Sequence, residues 1–141
     1  MLNFFDSDKN PLTTLITGHN GYTGESSEKK IYIRNTDSSL YDQNISISII
    51  IDGELDQGSI FSTSGWSIKL KYGSERPSED EWSEILVNDS LSIPAIGSSA
   101  SADTATYHPI WVRIYCPGGT NPQIKKNMSL SVSYEKRLVN A

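Results

Sequence analysis

The segment from Asn44 to Ile51 limits the choice of fold most: Ile45, Ile47, Ile49 and Ile51 stand at every second position, with Ser46 and Ser48 between them. An extended backbone sends successive side chains to opposite faces, so this spacing predicts a strand with one apolar face and one wet face. The same period recurs in Lys30–Arg34, where Ile31 and Ile33 point inward. The turn formers Asn35, Thr36, Asp37, Ser38 and Ser39 follow, so the order is strand, loop, strand.

Further strands follow from the same rule. Trp66, Ile68, Leu70 and Tyr72 share one side of a run closed by Gly65 and Gly73, the strongest candidate for a central strand. Ile110 to Cys116 is apolar on both faces except at Arg113, which predicts a strand covered on two sides. Pro117 to Pro122 then breaks the chain, and Met128 to Tyr134 resumes alternation, so these last two strands are expected to pair. Ile85–Val87 and Leu91–Ile93 flank the turn signal Asn88-Asp89 and predict a hairpin, with Pro94 restricting its second arm to an edge. Pro77 to Trp82 predicts a short helical turn in which Ser78 and Glu81 form a capping box and Trp82 folds back onto the sheet. The small polar stretch from Gly97 to Thr106 reads as a loop.

About seven short strands, one helical turn and no long amphipathic helix predict an all-β chain, an immunoglobulin-like antiparallel β-sandwich. A length of 141 residues fits one domain. The sandwich is expected over residues 25–141, preceded by an extended N-terminal arm over residues 1–24.

Charge and cysteine usage exclude several functions. The net charge of −5 argues against nucleic acid, because phosphate neutralisation needs a lysine and arginine stripe. The basic pairs Lys29-Lys30, Lys125-Lys126 and Lys136-Arg137 flank apolar runs, as charged strand ends do. Cys116 is the only cysteine, so no disulfide forms within one chain. No basic segment leads into an apolar stretch at the N-terminus, and no run of some twenty apolar residues exists, which predicts a chain without leader or membrane contact. The triplets beginning at Asn44, Asn88 and Asn127 are then chance glycosylation matches.

Catalysis has few candidates. His19 and His108 stand apart in loops without a nucleophile motif, so no catalytic residue is assigned and the chain is expected not to be an enzyme. Asp6, Asp8 and Asn10 have the alternating oxygens of a calcium loop, but Pro11 and the missing downstream glutamate spoil the match. Glu79, Asp80, Glu81 and Glu84 suit the first turn of a helix, so no metal or cofactor is expected. Trp66, Trp82 and Trp111 could make an aromatic platform for sugar rings, although Trp66 and Trp82 read more naturally as core. Trp111 alternates with Arg113 and Tyr115 on the face opposite Ile110, Val112 and Ile114. Those three residue types dominate interface hot spots, and a loop of the same subunit is the competing cover. Phe4 and Phe5 are the expected anchors of the N-terminal arm, since terminal segments order only when tied down.

The series Ile31-Tyr32-Ile33-Arg34-Asn35-Thr36-Asp37, Asn44-Ile45-Ser46-Ile47, Trp66-Ser67-Ile68-Lys69-Leu70, Pro77 to Trp82, and Thr106 to Ile114 running into Cys116-Pro117-Gly118-Gly119-Thr120 resembles the immunoglobulin-like virion proteins of tailed bacteriophages. The resemblance covers Lys30 to Lys136 and rests on fold-bearing motifs. It implies a virion accessory protein, a capsid decoration, neck or tail component made in the host cytoplasm. Such a protein would be present in several copies as a homo-oligomer or bound to other virion proteins, without nucleic acid or membrane. The rival expectation is a carbohydrate-binding sandwich used for adhesion to a host surface.

Overall fold

The computed structural model describes residues 2–12, 14–19, 25–37, 39–51, 67–84, 90–97, 106–119 and 123–138. Among them the chain forms nine strands and no helix: β1 (Leu2–Phe5), β2 (Thr14–His19), β3 (Glu25–Asn35), β4 (Leu40–Ile51), β5 (Ser67–Tyr72), β6 (Ser83–Glu84), β7 (Leu91–Ile93), β8 (His108–Cys116) and β9 (Gln123–Leu138). One sheet has the order β1-β3-β8-β5-β6 and the other β2-β9-β4-β7, with every pairing antiparallel.

The two inner faces meet in one core. Ile31 and Ile33 of β3, Ile68 and Leu70 of β5, and Ile110, Val112, Ile114 and Cys116 of β8 come from the first sheet. Ile45, Ile47, Ile93 and the nearby Ile96 face them from the second. Each such side chain taken out of water contributes about 1.5–3 kcal/mol, which is why the period-two residues dictate the layers. The side chains of Ile49 and Ile51, and the whole of Trp66, lie outside the described residues.

The order β1-β3-β8-β5 reproduces the A-B-E-D sheet of an immunoglobulin sandwich, and β9-β4 reproduces F-C. Two features depart from that plan: β2 lies along β9 where strand G would run, and β7 joins β4 only after β5 and β6 have been placed in the opposite sheet.

Several expectations from the sequence change here. The first residues are part of the sandwich rather than an arm before it. β1 pairs with β3 from Leu2↔Asn35 to Phe5↔Tyr32, and β2 pairs with β9. Leu2 and Phe4 are buried in the core because β1 repeats the inward alternation of its neighbour. The last two strands do not pair with each other. β8 sits between β3 and β5, and the chain crosses to the other sheet before β9. Leu91–Ile93 pairs with Ile45–Ile47 of β4 and, among the described residues, lies at a sheet edge, as Pro94 requires. Residues 85–89 of the expected hairpin lie outside the described residues.

β4 carries a bulge. Its register against β9 shifts between Gln43 and Ser46, and Asn44 takes the left-handed conformation at φ 51°. Asparagine tolerates that region better than most residues, and the extra residue turns Asp42 onto the same inward face as Ile45. Asp42 is fully buried, its backbone bridging Ile96, and among the described residues neither of its carboxylate oxygens has a hydrogen bond. Burial raises its pKa above the ordinary aspartate value.

Candidate functional site

The outer face of the five-stranded sheet gathers the side chains that leave the core. On β3 these are Glu28, Lys30, Tyr32 and Arg34, and on β8 they are Trp111, Arg113 and Tyr115, each one residue out of phase with the buried isoleucines and valine. Strand register sets them in rows. Phe5 lies opposite Tyr32, Trp111 lies between Lys30 and Lys71, Arg113 lies between Glu28 and Lys69, and Tyr115 lies between Ser26 and Ser67.

Half of this face is covered by the chain itself. Residues 73–84 leave β5 and fold across it. The Trp111 indole N–H donates to the Ser74 carbonyl at 3.3 Å. Arg113 donates to Glu28 at 2.7 and 3.0 Å, and to both oxygens of Glu79 at 2.7 and 2.8 Å. Its guanidinium lies 5.0 Å from the Trp82 ring centre, and Trp82 is buried beneath it. Arg76 completes the group by gripping Glu28 with two bonds of 2.7 Å. These partners hold the Glu28 carboxyl below its ordinary pKa, Arg76 first and Arg113 with it. Arg113 does the same to Glu79.

The turn that supplies this cover is built as its sequence foretells. The Glu81 carboxylate reaches back to accept the Ser78 backbone N–H at 2.9 Å, the reciprocal half of a capping box, although the segment closes as a turn and does not continue into a helix. The intramolecular cover accounts for Arg113, whereas Trp111 is tethered at its indole N–H and stays partly exposed, and Tyr115 stays exposed.

The other half of the face is aromatic and cationic. Tyr107 stands edge-on to Phe5 and to Tyr32, with ring centres 5.2 and 6.0 Å apart. Lys9 and Arg34 lie over the Tyr107 ring at 5.4 Å each, and Lys30 lies 5.8 Å from Tyr32 and 6.0 Å from Trp111. Arg34 is further fixed by donating to the Thr106 hydroxyl at 3.0 Å. Of the expected N-terminal anchors, Phe4 faces the core and only Phe5 belongs to this surface. Sequence reasoning did not single out Tyr32, Tyr107 or Lys30. The available signal was that Tyr32 and Lys30 fall out of phase with Ile31 and Ile33.

The remaining candidates are dispersed. His19 lies in β2 opposite Gln123, and its side chain is outside the described residues. His108 is half-buried, its Nδ1 3.3 Å from the Tyr72 hydroxyl, and burial lowers its pKa. Cys116 is fully buried on the same strand, roughly 27 Å further along at the strand rise, so these two cannot act as a pair within one chain. The Asp6 carboxylate accepts the backbone N–H groups of Asp8 and Asn10 at 2.9 Å each and so organises its own loop. A hollow beside the β4 bulge, lined by Gln43, Asn44, Ser46, Ser92 and Ala95, offers no titratable side chain. Among the described residues no group of histidine, cysteine, aspartate or glutamate is arranged to hold a metal ion, and no helix is long and apolar enough to cross a membrane.

Comparison with protein-family models, with curated proteins and with solved structures finds no match to this chain.

Proposed function

We propose that this chain is a non-enzymatic assembly module that docks to other proteins through the aromatic half of its outer sheet face. The carrying observation is the gathering of Phe5, Tyr32, Tyr107 and Trp111, all partly exposed, around the cations Lys9, Lys30 and Arg34. Tyrosine, tryptophan and arginine offer large rigid contact area with polar edges, the composition that concentrates binding energy in interfaces. With the sequence resemblance, this reading makes the chain a bacteriophage virion accessory protein, a head, neck or tail component acting in several copies.

A photo-crosslinking residue placed at Tyr32 or Trp111, with one at Lys136 on the opposite sheet as control, tests the reading in assembled particles. Cross-links from the two face positions to one structural protein, or to a second copy of this chain, are expected. Equal yields from the face and the control would sink it. The adhesion reading loses one of its three tryptophans, since Trp82 is buried beneath Arg113. Trp66 lies outside the described residues, so the support left for that reading is the partly exposed Trp111 ring with Tyr32 nearby.

A further inference from the structure

We propose that the aromatic half of the outer face recognises an acidic polypeptide segment, which names the chemistry of the partner and rests on the docking reading above. The observation behind it is how the cations on this face are held. Lys30 lies over two ring faces and Lys9 over one, and among the described residues neither forms an ion pair, nor does Lys71 on the far side of Trp111. The carboxylates near this face are engaged elsewhere, Glu28 by Arg76 and Arg113, Glu79 by Arg113 and Glu81 by Ser78, although the Glu81 charge also reaches Lys71 without forming an ion pair.

A ring face attracts an ammonium through its quadrupole but leaves the positive charge in place, so Lys9 and Lys30 are positioned and still able to take a carboxylate. The row Lys30, Trp111, Lys71 sets two cations on either side of an indole. An extended acidic segment lying across the strands meets alternating charge and apolar surface there, and charge complementarity of this kind selects partners and speeds encounter. The net charge of −5 makes this cationic row a local feature of an acidic protein.

Two other occupants fit less well. A nucleic acid would bring a long, dense line of phosphates, which calls for a longer stripe of cations than the Lys30, Trp111, Lys71 row supplies. A neutral sugar stacks on open ring faces, whereas the Tyr107 ring already carries Arg34 and Lys9.

The test uses the full chain and poly-L-glutamate as probe, followed by tryptophan fluorescence and calorimetry, with heparin, oligothymidylate and a neutral glucose oligomer in parallel. Poly-L-glutamate is expected to bind, to weaken at least about tenfold on raising salt from about 50 to 300 mM, and to weaken similarly in Lys30→Glu/Lys71→Glu. Lys30→Gln/Lys71→Gln, which removes charge without reversing it, should fall between, and Lys136→Glu on the other sheet should bind as the parent does. Absence of poly-L-glutamate binding, or binding unchanged by both double variants, overturns the proposal. So does tighter binding of heparin, oligothymidylate or the neutral oligomer at the same face. If the face positions cross-link to a partner while poly-L-glutamate does not bind, docking stands and the acidic partner is refuted.

Discussion

Replacing Arg113 by methionine keeps an unbranched chain over Trp82 while removing the guanidinium, so it isolates what the charge contributes. The Arg113 side chain is 12% exposed and that of Glu28 20%, whereas Glu79 is 75% exposed, so water screens the Glu79 pair far more than the Glu28 pair. The lost hydrogen bonds to Glu28 cost about 1.5–3 kcal/mol and the lost contact with the Trp82 ring about 1 kcal/mol. Glu28 retains Arg76 at 2.7 Å and is not left alone. The expected loss is about 2–4 kcal/mol, or roughly 10 °C in melting midpoint for a domain of this size. Urea denaturation of the single variants Arg113→Met, Glu28→Gln and Glu79→Gln and of the pairs closes two double-mutant cycles, and the coupling to Glu28 should exceed that to Glu79. Acid adds a second check. The depressed Glu28 pKa gives stability that is present above the ordinary carboxylate value of 4.5 and lost as pH falls through the folded value, so the deficit of Arg113→Met should shrink below pH 4.5. A loss under about 1 kcal/mol, or equal coupling to both glutamates, would refute the view that the part-buried pair anchors this cover.

Asp42→Asn should melt higher than the parent at pH 7 and together with it near pH 3. The raised folded pKa of Asp42 costs stability only above the unfolded value of 3.8, so thermal melts across pH that ran parallel would contradict its burial as an acid. Ile110→Ala, at a side chain with no exposure, should cost about 2–5 kcal/mol in chemical denaturation. Cys116, equally buried, should react with a thiol reagent only at the rate at which the protein opens, and rapid labelling of the native state would contradict the core described above.

Period two revealed the layers because burial of a sheet face leaves a local trace. Ile31, Ile33, Ile45, Ile47, Ile110, Val112 and Ile114 all point to the core as their spacing implies. Strand partners leave no such trace. Nothing local in β8 or β9 says that they belong to opposite sheets, and proximity in sequence misleads there. The N-terminal segment was misread because β1 has only four residues, too few for alternation to separate a core strand from a terminal arm. The bulge at Asn44 was equally hidden, so Asp42 gave no sign of facing inward. At the site, Trp111, Arg113 and Tyr115 were placed on the outer face correctly, yet what lies over them depends on residues 73–84 returning from β5. Only the Ser78 and Glu81 pair hinted at that return.

In the four-stranded sheet, β2 and β4 lie on either side of β9 and do not touch each other along their ladders. The sixteen residues of β9 are thus the common backbone of that layer. A ribosome delivers them after the other eight described strands, so until they emerge Ile45 and Ile47 have no completed layer to hold them in place. Closure is then a late event among contacts distant in sequence, a slow step that exposes apolar surface to chaperones or to sister chains.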